Sequence, residues 1–125
     1  MTREDQNCIA RAIAQAEDGT TGRVAVRIVP DKSVDAFERA VREFGRTGLH
    51  LHEHENAALV LVAPNARKFA VIGDRALHER VGDAFWNDVV ASIQPYFARD
   101  QVVDGVLAAI GRIGSELHAH FPAGS

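Results

Sequence analysis

Paired-cysteine chemistry is closed to this chain. Cys8 is its single cysteine, which excludes an internal disulfide and a zinc knuckle built on cysteines. No histidine stands at a spacing that ties it to Cys8, so the thiol reads as helix packing rather than as a nucleophile. Long apolar runs are also missing: nothing approaches the roughly 18 residues that span a bilayer. Positive charge is not in excess. Lys and Arg number 14 against 17 Asp and Glu, for a formal charge of −3. They are scattered rather than gathered on one arm, so nucleic acid is not an expected partner. The opening "MTREDQNCIARAIAQAEDG" has no apolar h-region, and the expectation is a soluble, cytoplasmic chain without a secretory signal or membrane insertion. Neither G-x-x-x-x-G-K nor G-x-G-x-x-G occurs, so the glycines form no phosphate loop. Gly111 and Gly114 are read instead as places where helices pack closely. Repeats and long linkers are absent too, and residues 1–125 read as one domain.

What is present is a mixture of two periodicities. Ile9, Ala12, Ile13 and Ala16 recur at helical spacing up to Gly19. "RVAVRIV" (23–29) alternates and is β-branched, hence a strand, stopped by Pro30. Ser33 is a suitable N-cap for a helix with the apolar stripe Phe37, Val41 and Phe44, ended by Gly45. "AALVLVA" (57–63) is apolar throughout and reads as a central strand. "PNAR" is a tight turn, and "KFAVIG" (68–73) returns as a third strand. Phe85, Trp86, Val89, Val90, Ile93 and Phe97 mark one further helix. Val103, Val106, Leu107, Ile110, Gly114 and Leu117 mark another. The architecture implied is α/β, with helices layered on a small mixed sheet: a parallel first pair joined by a right-handed crossover, plus an antiparallel hairpin strand.

That hairpin has a chemical consequence. With Ala63 facing Lys68, paired positions sum to about 131, which sets position 57 beside 74. Glu55 and Asn56 then lie next to Asp74. Thr20, Thr21 and Gly22 begin at the same end, and His78, Glu79 and Asp83 follow. Acidic and amide oxygens suit a hard cation such as calcium or magnesium. The competing interpretation is turn chemistry and helix capping, with Asp74 capping one helix and Asp83 the next.

The residues that build these elements resemble the TPM domain, in its short, stand-alone bacterial form. The likeness is carried by "IARAIAQAEDGTTGRVAVRI", "ENAALVLVAPNARKFAVIGDRALHERVGDAFWNDVV" and "GVLAAIGRIGSELHAHFP". The family includes a thylakoid-lumen acid phosphatase, a photosystem-associated membrane protein and a channel modulator. The resemblance implies an α/β/α sandwich and a divalent-metal site, chiefly for calcium, in a cleft at the polar strand ends. Asn56 matches the family's Asn before the second strand, and Asp74 the Asp of its Gly-Asp segment. The chain departs from the pattern at Arg23, His52, Glu55 and Ala57. Ala57 replaces a glycine that would let a ligand approach the backbone.

Three functions follow. The first is a regulatory or interaction module that binds calcium or magnesium through Glu55, Asn56, Asp74 and Asp83, and shows the loaded loops to a protein partner. The second is a metal-assisted acid phosphatase, with Asp74, Glu79 and Asp83 as candidate catalytic residues; the pattern places no arginine or lysine to clamp the phosphate, although Arg75 is close in sequence to them. The third, suggested only by family contexts, is a scaffold in membrane-protein assembly or quality control. An alternative metal site is His50-x-His52-x-His54, whose imidazoles suit zinc or nickel. It lies on a connecting segment, with Glu53 or Glu55 as an added ligand. His118 and His120, near a helix C-terminus, are read as structural. Trp86 is read as a core residue in need of a partner for its indole N–H.

Overall fold

The strand β2 (Ala57–Ala63) is buried along its whole length. Its side chains enter two different cores by turns: Ala58, Val60 and Val62 on one face, Leu59, Leu61 and Ala63 on the other. That is why its sequence is apolar without alternation. In this computed structural model, which describes residues 1–51 and 53–124, β1 (Arg23–Ile28) lies parallel to β2. The third strand, β3 (Lys68–Gly73), lies antiparallel to it, giving the order β1-β2-β3. A short 3-10 turn at Pro64–Ala66 closes the hairpin. Ala63 faces Lys68 and Ala58 faces Gly73, the register expected from the sequence.

One face of the sheet is covered by α2 (Ala36–Thr47), through Ala40 and Phe44. The other carries α1 (Arg3–Glu17), α3 (Arg75–Ala98) and α4 (Val102–His120), which contribute Ile9, Val89, Ile93, Val106, Ile110, Ile113 and Leu117. The result is the anticipated three-layer α/β/α sandwich. Gly114 allows α4 to approach α1, since a Cβ there would sit 2.9 Å from the Ala16 Cβ. A Cβ on Gly111 would meet nothing, so close packing belongs to Gly114 alone of that pair.

Two helix boundaries differ from the sequence expectation. The N-cap of α2 is Asp35, whose carboxylate accepts from Glu38 N–H at 3.0 Å. Ser33 is displaced from that role because Val34 packs against the core beneath α2. At the other end α2 runs through Gly45 to Thr47. It stops at Gly48, whose φ of 76° is the left-handed conformation that ends helices.

The segment that leads into β1 is tied to the end of α4 at Thr20. Its buried hydroxyl lies against the carbonyls of Leu117 (3.1 Å) and Phe121 (2.5 Å) and accepts from Gly22 N–H at 3.1 Å. Thr20→Val keeps the shape but leaves the buried Gly22 N–H without its acceptor, while the Leu117 and Phe121 carbonyls keep the N–H groups of Phe121 and Thr21. It should lower stability by about 1–3 kcal/mol in urea denaturation followed by circular dichroism.

Candidate functional site

The parallel strands β1 and β2 start at one end of the sheet, and antiparallel β3 finishes there. Arg23 is in register with Ala57, and the Asp74 N–H donates to the Ala57 carbonyl at 2.8 Å. Asn56, one residue before β2, is 0% exposed. Its Nδ2 donates to Thr21 Oγ1 at 2.8 Å, while its Oδ1 has no hydrogen-bond partner among the described residues. Asp74 is the N-cap of α3: one carboxylate oxygen accepts from Arg75 N–H at 2.8 Å. The other oxygen is buried and has no partner among the described residues. Leaving a buried acceptor unmade costs on the order of 1–3 kcal/mol, so two at one rim are a feature in need of an explanation.

Glu55 shapes the rim through its backbone. Its φ of 51° is left-handed, an unfavourable region for a glutamate. That turn aims its carbonyl at the start of α3, where it accepts from Ala76 N–H (2.9 Å) and Leu77 N–H (3.3 Å). Leu77 is fully buried and anchors the same turn in the core. The Glu55 carboxylate is held by Arg75, with Nε and Nη2 each 2.7 Å from Oε2. This hydrogen bond, and then the charge of Glu55, raise the pKa of the Arg75 guanidinium. Arg75 is therefore engaged with Glu55 rather than presented as an anion clamp.

The remaining acidic candidates sit along α3. Gly82 breaks its helical geometry with φ 77°. Asp83, just after that break, lies 3.3 Å from His78 Nε2. His78 Nδ1 accepts from the Trp86 indole N–H at 3.0 Å. The neutral tautomer with hydrogen on Nε2 satisfies both contacts. Trp86 thus has the polar partner its burial calls for, and its ring occupies the space over Gly73, where a Cβ would come within 2.3 Å of Cζ2. Glu79 is exposed and acts on Arg75 through its charge. Among the described residues no group of three or more His, Cys, Asp and Glu gathers as a metal cage. The rim offers an amide oxygen and a carboxylate oxygen, not a cluster of acids.

His50 lies in the short 3-10 turn Leu49–Leu51, and His54 is 3.4 Å from Glu53. His52, the middle of that triplet, lies outside the described residues. At the other end of the chain, the His118 ring contacts the Asp18 carbonyl and His120 pairs with Glu116 at 3.1 Å. Both act as fold contacts. The left-handed Glu55 and its role at α3 had no signal in the sequence, because glutamate is not a residue that favours φ > 0.

These features define a class: a small three-layer α/β/α domain with a doubly buried central strand and an incompletely satisfied polar rim. The family model of the TPM domain matches residues 1–116, and the chain belongs to that family. No curated protein matches it. Among solved structures it is similar to the BA42 protein of the psychrophilic bacterium Bizionia argentinensis, determined by NMR, at 28% identity with a TM-score of 0.89. That match covers 100% of this chain and 86% of that one. It also shares its fold with the N-terminal domain of the cg2496 protein of Corynebacterium glutamicum (16% identity, TM-score 0.75, 100% of this chain and 79% of that one). The N-terminal domain of a P. gingivalis protein has the same fold (10% identity, TM-score 0.80, 97% and 78%). Among the described residues no helix is long and apolar enough to cross a membrane.

Proposed function

We propose that the chain is a divalent-cation-binding regulatory or interaction module, with calcium or magnesium held at the rim by Asn56 and Asp74. The observation that carries this reading is the pair of buried, unpartnered oxygens, Asn56 Oδ1 and Asp74 Oδ2. They are hard donors of the kind these ions take, and a bound ion would supply the partner each lacks. Glu55 adds a third oxygen if its carboxylate leaves Arg75, and Asp83 adds negative charge from α3. Backbone carbonyls and water complete such a shell in ordinary calcium sites. The ion would tighten the Glu55 turn against the first turn of α3 and so set the surface offered to a protein partner. The Asn56 amide and the Asp74 cap already orient both donors, through Thr21 and Arg75 respectively. Phosphate-ester hydrolysis would need the same ion and, besides it, a cationic clamp released from Glu55 and a carboxylate placed to orient water, whereas binding needs the ion alone. Binding is accordingly the better-supported use of the rim.

Calcium titration followed by amide NMR tests this. Saturable shifts are expected at residues 20–22, 55–57 and 73–83, and Asp74→Asn should weaken binding by about tenfold or more, the effect of roughly 1.4 kcal/mol. No saturable shift with either ion up to millimolar concentration refutes the proposal. Shifts confined to His50, His52 and His54 on adding zinc would move the metal site to that segment.

A further inference from the structure

The sheet ends at β3, and among the described residues only one side of that strand is paired. The bond from Asp74 N–H to the Ala57 carbonyl sets its phase. In that register the backbone groups of Lys68, Ala70 and Ile72 turn to β2, and those of Phe69, Val71 and Gly73 turn outward. An open edge is a template for another strand unless something blunts it. Here it forms the floor of a groove of about 650 Å³, walled by Phe37 and Val41 of α2 and by Trp86 of α3. Phe37 and Val41 are 63% and 51% exposed. They stand one helical turn apart, so they form a single apolar stripe beside the edge. Of the apolar stripe Phe37, Val41 and Phe44 expected from the sequence, only Phe44 reaches the core, together with Ala40.

We propose that this groove is a self-association surface, in which two copies pair β3 with β3 antiparallel about a twofold axis at Val71. The register is self-complementary: Val71 meets its own mate, and Phe69 meets Gly73 of the second copy. All are outward-facing positions, so about six backbone hydrogen bonds close. Antiparallel neighbours in a sheet keep equivalent faces on the same side. The axis therefore lays α2 antiparallel to α2 of the second copy, and Phe37 covers Val41 across the axis. Glu38 and Arg42 repeat the four-residue spacing of Phe37 and Val41 one position further round the helix, and both are exposed. Across the axis Glu38 meets Arg42, opposite charges at the rim of an isologous contact. A foreign extended peptide would cover the edge without meeting Glu38 and Arg42, whereas a second copy brings each opposite its complement, which is why a second copy is the occupant inferred.

Sedimentation equilibrium of the full chain, from micromolar to millimolar concentration and in EDTA so that no rim ion contributes, tests this. A dimer is expected. Phe37→Glu combined with Val41→Glu should return it to a monomer with unchanged circular dichroism and Tm, since neither side chain is in the core. Arg42→Glu should weaken the dimer by about tenfold, and adding Glu38→Arg should restore it. Amide exchange at Phe69, Val71 and Gly73 should slow as concentration rises, with Ala70 and Ile72 protected throughout. A monomer at every concentration overturns the proposal, as does a dimer indifferent to the Phe37 and Val41 substitutions. Capture of an extended apolar peptide by a strictly monomeric chain overturns it in favour of a foreign strand.

Discussion

Leu117→Ala is expected to destabilise the domain by about 2–5 kcal/mol, towards the upper end of that range. Leu117 is fully buried near the end of α4. Its methyl groups fill the space beside Gly22, where a Cβ would lie 2.4 Å from Cδ2. Gly22 has no side chain that could move into a cavity. The surrounding backbone is also fixed, because Thr20 reaches the Leu117 carbonyl and pairs in an antiparallel bridge with Pro122. A site that cannot collapse bears both the lost transfer energy and the full cavity term. Against a total stability of about 5–15 kcal/mol for a domain of ordinary size, this is about a quarter or more of the whole. Urea denaturation should show a lower midpoint with an unchanged slope. A loss below about 1 kcal/mol would mean that the end of α4 is not packed as described.

Asn56→Leu is expected to separate stability from ion binding. The asparagine holds one hydrogen bond, to Thr21, and one buried oxygen with none. Leucine forfeits the hydrogen bond, a net loss of about 1 kcal/mol, but removes an orphan acceptor that costs about 1–3 kcal/mol, and it adds apolar burial. The variant should therefore be as stable as the parent or more stable by about 1 kcal/mol. Its calcium-dependent NMR shifts should disappear, with affinity lower by about tenfold or more. This is the pattern of a residue kept for a ligand at some expense to the fold. If Asn56→Leu unfolds the domain, the amide is a structural necessity. If calcium still binds with parental affinity, Asn56 is not a ligand.

The two cases show how unevenly the sequence spoke. The Ala57–Ala63 run and the alternation of β1 stood out because burial on both faces, or on one, writes its period directly into the order of residues. The hairpin register followed from the shortness of the turn between Ala63 and Lys68, and it was enough to set Asn56 near Asp74 before any coordinates. The cap at Asp74 was equally local. By contrast, the start of α2 at Asp35 depended on where Val34 finds its core, a contact across layers.

What the sequence by itself determined is the set of elements, their pairing and the end of the sheet at which polar residues collect, because periodicity, turns and caps act over a few neighbouring positions. Only the tertiary structure decided which of those polar atoms are satisfied. Arg75 reaches Glu55 from twenty residues away, Thr21 serves Asn56 from thirty-five, and Phe37 and Val41 stay uncovered because α2 sits on the sheet through Ala40 and Phe44. Such outcomes turn on where distant segments come to rest, and no short-range pattern encodes that.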